Sequence, residues 1–192
     1  MRTVVLHVFD YSLDGILGEE GTEFAAFCRE TPDDPASEAW LGGCLDQAEV
    51  HIMGRVTFEG MAAYFPGAED HPYAAIMNSA RKAVFSRTLP GSDWSGTTIL
   101  RGDLATELGK LRQEGDGEII AHGGVSFARS LVRLDLVDEF RLQVFPFLAG
   151  SGQALFADVD KPRDLELVSS TPFGNQTVAM TYRRKRGWQP AG

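Results

Sequence analysis

Cysteine is scarce: the 192-residue chain has two, Cys28 and Cys44. Two distant thiols make neither a disulfide framework nor a zinc site, which needs closely spaced ligand pairs. Positive charge is also short. Lysine and arginine number 18 against 27 aspartates and glutamates, a net charge of −9. Nucleic acid is excluded as a main partner, because phosphate binding needs a concentrated basic surface. The only basic cluster, Arg183 to Arg186, reads as a solvated strand end and tail. No apolar run approaches the ~20 residues of a membrane span, and the first residues read as a strand rather than a secretory leader. The expected setting is cytoplasmic. Gly-x-Gly-x-x-Gly and a Walker-type lysine loop are both missing, which argues against an ordinary Rossmann or nucleoside-triphosphatase reading. No repeat or linker interrupts the chain. One domain over residues 1–186 is expected, with a loose tail at 187–192.

What is present is an alternation of apolar runs and amphipathic segments. Thr3 to Phe9, Val50 to Met53, Lys82 to Ser86, Thr98 to Leu100 and Ile119 to Ala121 read as strands, rich in β-branched residues. Helical spacing falls at 23–28, 37–47, 57–64, 74–78, 104–114 and 126–133, with Asp103 placed as an N-cap. From Glu139 onward three strands follow without a clear helix. Strands that alternate with helices imply a parallel sheet, and the late strands add an antiparallel pair. The fold class is therefore α/β, a mixed, mostly parallel sheet with helices on both faces.

Two strand–glycine–helix junctions stand out. In VHIMGRVTFEGM an apolar run stops at Gly54, and Arg55 and Thr57 open a helix. In IIAHGGVSFARSL the same transition passes through Gly123 and Gly124. The free N–H groups and positive dipole end of a helix start attract anions. A guanidinium adds a planar fork of donors suited to phosphate. Two such junctions suggest a cofactor with more than one phosphate. Arg55 and Arg87 each follow a strand end, which suits the 2′-phosphate of NADPH better than the ribose of NADH.

The motifs HIMGRVTFEGM, VFSRTL and IIAHGGVSFARSL, in this order and spacing, resemble the dihydrofolate reductase superfamily. SLDG at Ser12 to Gly15 and the stretch from Leu131 to Phe156 look more like the reductase domain of riboflavin biosynthesis, the bifunctional deaminase–reductase C-terminal branch. The resemblance spans roughly Thr3 to Arg183. It implies a three-layer α/β/α fold that binds NADPH. Gly54, Arg55 and Thr57 match the segment that holds cofactor phosphates. Ser86 and Arg87 match the strand end at the adenosine ribose and its 2′-phosphate. Gly123, Gly124, Val125 and Phe127 match the turn near the pyrophosphate and nicotinamide, where the Gly-Gly bond is often cis in the family. Gly15 and Ile16 match the loop over the nicotinamide.

Hydride transfer usually also needs a proton donor. Glu38, just before Trp40, resembles the acidic residue of dihydrofolate reductases, although a one-residue slip would put Ser37 there. Asp14 is the second candidate acid. Trp40 and Tyr64 are candidates for the substrate pocket, and Phe65 and Trp94 rank below the phosphate set. His7, inside a strand, reads as a core or surface histidine, His122 as structural and His51 as packed near its strand end. No metal is expected.

The leading reading is an NADPH-dependent reductase of a small pyrimidine or pterin-type substrate. For the riboflavin branch that substrate is 5-amino-6-(5-phosphoribosylamino)uracil. The alternatives are a dihydrofolate reductase and a non-catalytic nucleotide-binding protein. The resemblance also implies a homodimer through the late strands, and the apolar stretch Leu142 to Gly150 is compatible with an interface.

Overall fold

The computed structural model describes residues 1–185; the expected tail at 187–192 lies outside the described residues. Eight strands form one sheet: β1 (Thr3–Ser12), β2 (Ala48–Gly54), β3 (Arg81–Phe85), β4 (Thr97–Leu100), β5 (Glu118–Ala121), β6 (Glu139–Phe145), β7 (Leu165–Pro172) and β8 (Val178–Arg184). Their order is β4-β3-β2-β5-β1-β6-β8-β7. The first six of these run parallel, and β8 pairs antiparallel with both β6 and β7. The helices are α1 (Glu23–Glu30), α2 (Pro35–Asp46), α3 (Arg55–Tyr64), α4 (Ala74–Ser79), α5 (Leu104–Gln113) and α6 (Val125–Arg133).

Because side chains alternate along a strand, the sheet has two buried faces. Val4, Leu6, Val50, Ile52, Ile119 and Ala121 pack with Leu108 and Leu111 of α5 and with Ala128 and Leu131 of α6. Met53, Val84 and Ile120 point the other way, onto Leu45 of α2, Phe58 of α3 and Met77 of α4. This is the expected three-layer arrangement. Lys82 also faces the second layer. It is fully buried, lies 4.4 Å from the Trp94 ring centre and donates to the carbonyls of Met77 and Ala80 at 2.7 Å each.

Two local departures matter for the site. Strand β1 is longer than the expected Thr3 to Phe9, and its pairing with β6 slips between Val8 and Tyr11. Three steps on β1 match two on β6, so a bulge re-aims Phe9 and Asp10. The expected interface stretch begins inside the sheet and ends on the surface. Leu142 and Phe145 are buried, because β6 is flanked by β1 and β8; Leu148 beyond them is exposed.

Candidate active site

The two glycine junctions interlock. A Cβ on Gly54 would stand 3.3 Å from Cβ of Phe127, so the missing side chain eases the close approach of β2 to α6. Gly124 has φ +90°, and a Cβ there would meet Thr57 Oγ1 at 2.5 Å. Thr57 Oγ1 donates to the Gly123 carbonyl at 3.0 Å. The Gly123–Gly124 peptide is trans, unlike the cis form that the resemblance implies.

The helix starts divide into two kinds. Thr22, Asp34 and Asp103 cap α1, α2 and α5 with side-chain oxygens. Helices α3 and α6 begin at Gly54 and Gly124 and have no side-chain cap; short α4 is also uncapped. At the interlocked junctions the first N–H groups therefore have no side-chain acceptor, and the positive ends of two helix dipoles meet.

Three cavities surround this point. The first, about 330 Å³, lies where β3 and β4 end, between Ser86, Arg87, Phe127, Ser130 and Arg133. Ser86 Oγ also accepts from the Leu89 N–H at 2.9 Å, so it holds the turn as well. Arg133 was not among the sequence candidates. Its signal was spacing: Phe127, Ser130 and Arg133 follow one another at three-residue steps on one helix face. The second cavity, about 230 Å³, lies between Thr57, Gly123, Gly124 and Val125 on one side and Asp10 with Leu17 to Glu19 on the other. The third, about 170 Å³, is walled by Leu41, Leu45, Phe65, Tyr73, His71 and His122. The second and third share His7, Phe9 and Met61, so they adjoin.

Burial sets the protonation states. His7 is 1% exposed, and neither ring nitrogen has a hydrogen-bond partner. Burial pushes its pKa down to about 3, and Arg141 and His51 add to this. His51 falls to about 4, and His122 drops well below its usual value. His51 Nδ1 and His122 Nε2 share a hydrogen bond of 2.8 Å. All three imidazoles are neutral at pH 7. Asp10 moves the other way: burial raises its carboxyl to about 6 against the opposing pull of the Cys28 thiol and Arg29. A carboxyl poised there can hold a proton near neutral pH.

Several expected residues sit elsewhere. Asp14 is exposed; it accepts from Ser12 Oγ at 2.6 Å and from the Ala149 and Gly150 N–H groups at 3.0 and 2.7 Å. These donors, Ser12 first, lower its carboxyl to about 2, which suits a loop anchor and not a proton donor. Glu38 is exposed because the inner face of α2 carries Ser37, Leu41, Cys44 and Leu45. Ser37 is buried and accepts from Gln143 Nε2 at 2.8 Å. Gly15 and Ile16 are tied to the 154–155 segment, so the next three residues form the cavity wall instead. Arg55 is exposed, pairs with Glu59 at 2.9 Å and lines none of the three cavities. Trp40 approaches from outside, with its ring 5.6 Å from that of His7. Tyr64 is exposed and rests on Phe65 and His71, and Phe65 reaches the third cavity in its place.

Known proteins resemble this chain in sequence and in fold. Protein YyaP of Bacillus subtilis is 31% identical over 175 residues, 89% of each chain. A Shewanella sp. PV-4 protein assigned to riboflavin biosynthesis superposes with a TM-score of 0.77 at 22% identity, covering 96% of this chain and 100% of that one. Dihydrofolate reductase from Enterococcus faecalis, solved with NADP(H) and RAB-propyl, gives a TM-score of 0.63 at 17% identity, covering 95% and 96%. The fold is thus dihydrofolate reductase-like. The RibD C-terminal domain family matches residues 2–179, which takes in both glycine junctions and all three cavities, and the chain belongs to that family.

Proposed function

We propose that this protein is an NADPH-dependent reductase that passes a hydride to a small heterocyclic substrate. The residues present fit the coenzyme. The paired starts of α3 and α6 suit its pyrophosphate. Ser86, Arg87 and Arg133 suit a 2′-phosphate beside the adenosine. The second cavity suits the nicotinamide, since glycines at 123 and 124 leave the backbone open to close approach. The coenzyme, when bound, supplies the hydride. The third cavity then receives the heterocycle of the substrate, and its apolar walls exclude water. Asp10, at the second cavity with its carboxyl raised to about 6, can take up a proton and deliver it.

One observation carries the reading. The two uncapped, glycine-started helices meet beside a cavity lined by two arginines. The E. faecalis reductase of similar fold was solved with NADP(H), which supports it. Fluorescence titration tests it: NADPH is expected to bind at least tenfold more tightly than NADH, and equal affinities would overturn the assignment. The phosphoribosylamino-uracil of the riboflavin branch is the first substrate to assay, with dihydrofolate as the comparison.

A further inference from the structure

We infer that Arg101 is a positioning residue for coenzyme selection: its guanidinium clamps the turn that carries Arg87, and so fixes the cation offered to the 2′-phosphate. This role rests on the reductase reading for the identity of the phosphate; the clamp itself does not.

Strands β3 and β4 end side by side, with Phe85 opposite Leu100. Ser86 and Arg101 are the next residues, and the Ser86 N–H donates to the Leu100 carbonyl at 3.0 Å. The chain after β3 then turns through Arg87, Thr88, Leu89 and Pro90. Carbonyls of this turn converge on one side chain. Arg101 Nη1 donates to the Arg87 carbonyl at 3.1 Å, and Nη2 donates to those of Leu89 and Pro90 at 2.7 and 3.4 Å. Ser86 Oγ adds a second hold by accepting from the N–H groups of Thr88 and Leu89 at 3.2 and 2.9 Å. The Leu89 side chain is buried in the second core layer and anchors the turn. A planar guanidinium can fork to several acceptors in this way; an ammonium is a compact point charge and cannot.

The clamp acts on the first cavity without lining it. Ser86 and Arg87 line that cavity, whereas Arg101 is exposed outside the lining. Asp103, the acidic residue of the same lining, is committed to its own helix: Oδ2 accepts from the Thr106 N–H and hydroxyl at 3.1 Å each. Placement of the Arg87 side chain therefore falls to its backbone. Ordering a chain segment at the moment of binding costs entropy, and a turn that is already fixed removes the backbone share of that cost. The bonds to the Arg87 and Pro90 carbonyls are exposed, so water can replace the guanidinium there. Loss of Arg101 should loosen the turn and leave the fold intact.

The test pairs a coenzyme-free measurement with a coenzyme titration, both on the full chain. Hydrogen exchange followed by NMR reads the Thr88 and Leu89 N–H groups in Arg101→Gln and Arg101→Lys. Both groups should exchange about fivefold faster or more in both variants, with a melting temperature close to that of the parent. Fluorescence titration then compares NADPH with NADH. Each variant should lose about three- to tenfold in NADPH affinity and keep its NADH affinity. The loss should vanish in an Arg87→Ala background, because Arg101 acts through Arg87. Unchanged exchange would overturn the clamp. Faster exchange with undiminished NADPH affinity, in a parent that prefers NADPH, would overturn its part in selection. Full retention by Arg101→Lys with loss in Arg101→Gln would also overturn it, since charge alone would then suffice. A parent that binds both coenzymes equally would strike the 2′-phosphate assignment of the reductase reading, and the exchange rates would still decide the clamp.

Discussion

Thr57 Oγ1 donates a 3.0 Å hydrogen bond to the carbonyl of Gly123, joining two helix starts that lie 66 residues apart in sequence. The same oxygen occupies the space that a Cβ on Gly124 would need. Gly124→Ala therefore adds a clash to a backbone already at positive φ. Unfolding in urea should show a loss of roughly 1–3 kcal/mol. Adding Thr57→Ala removes the clash but not the φ strain, so the double variant should be more stable than the sum of the single losses. Strict additivity would show that the two positions are not in contact.

Arg87 lines the first cavity, and Arg55 is turned onto Glu59. Arg87→Ala should remove most of the preference for NADPH over NADH, about ten- to a hundredfold, the worth of a charge-assisted phosphate contact of roughly 1.5–3 kcal/mol. Arg55→Ala should have the smaller effect. The reverse order, read by fluorescence titration, would move the 2′-phosphate to the start of α3.

Asp10 is the carboxyl of the second cavity whose pKa is raised, to about 6. A proton donor works in its protonated form, so kcat should fall as pH rises through that value. Asp10→Asn should lower kcat and abolish this limb. Asp14→Asn should leave the shape of the profile intact, because Asp14 anchors the loop to Ala149 and Gly150.

Stability should depend on pH through the buried histidines. His7 titrates near 3 and His51 near 4 in the folded chain, against 6.5 when unfolded. Below pH 6.5 the unfolded chain takes up protons that the folded chain refuses. Stability therefore falls as pH drops from about 6.5 toward 4, and these groups add no slope above about 7. Asp10 opposes part of this, since the folded chain keeps its proton up to about 6. The net loss between pH 7.5 and 4.5 should be on the order of a few kcal/mol by urea titration, and His7→Phe should flatten the slope.

Lys82 satisfies the carbonyls of Met77 and Ala80 at the end of α4, beneath Trp94. Lys82→Met keeps the stem and strands those acceptors. A loss of about 2–3 kcal/mol, several degrees in melting temperature, is expected. A melting curve like that of the parent would mean that water replaces the ammonium.

The elements themselves were legible in the sequence because their signals are local. β-Branched apolar runs, Asp103 as a cap and the glycine junctions each report on a few neighbouring residues, and all appear close to the expected places. Glu38 shows where local reading fails: a glutamate early in a helix is favourable wherever it points, and only the packing of Leu41, Cys44 and Leu45 turns it outward. His7 shows the converse. Inside a strand it looks like any core residue, and its open nitrogens emerge only when Trp40 and the His51–His122 pair close around it without offering a bond.

By itself the sequence determined the alternation of strands and helices, the two-sided sheet and the resemblance carried by its glycine motifs, because periodicity and backbone freedom belong to short stretches of chain. Tertiary structure alone decided that Arg133 joins Ser86 and Arg87, that Asp10 rather than Asp14 or Glu38 borders the second cavity, and that His7 is left without a partner. Those outcomes depend on a bulge, on the choice of helix face and on desolvation. Each arises only when distant segments meet.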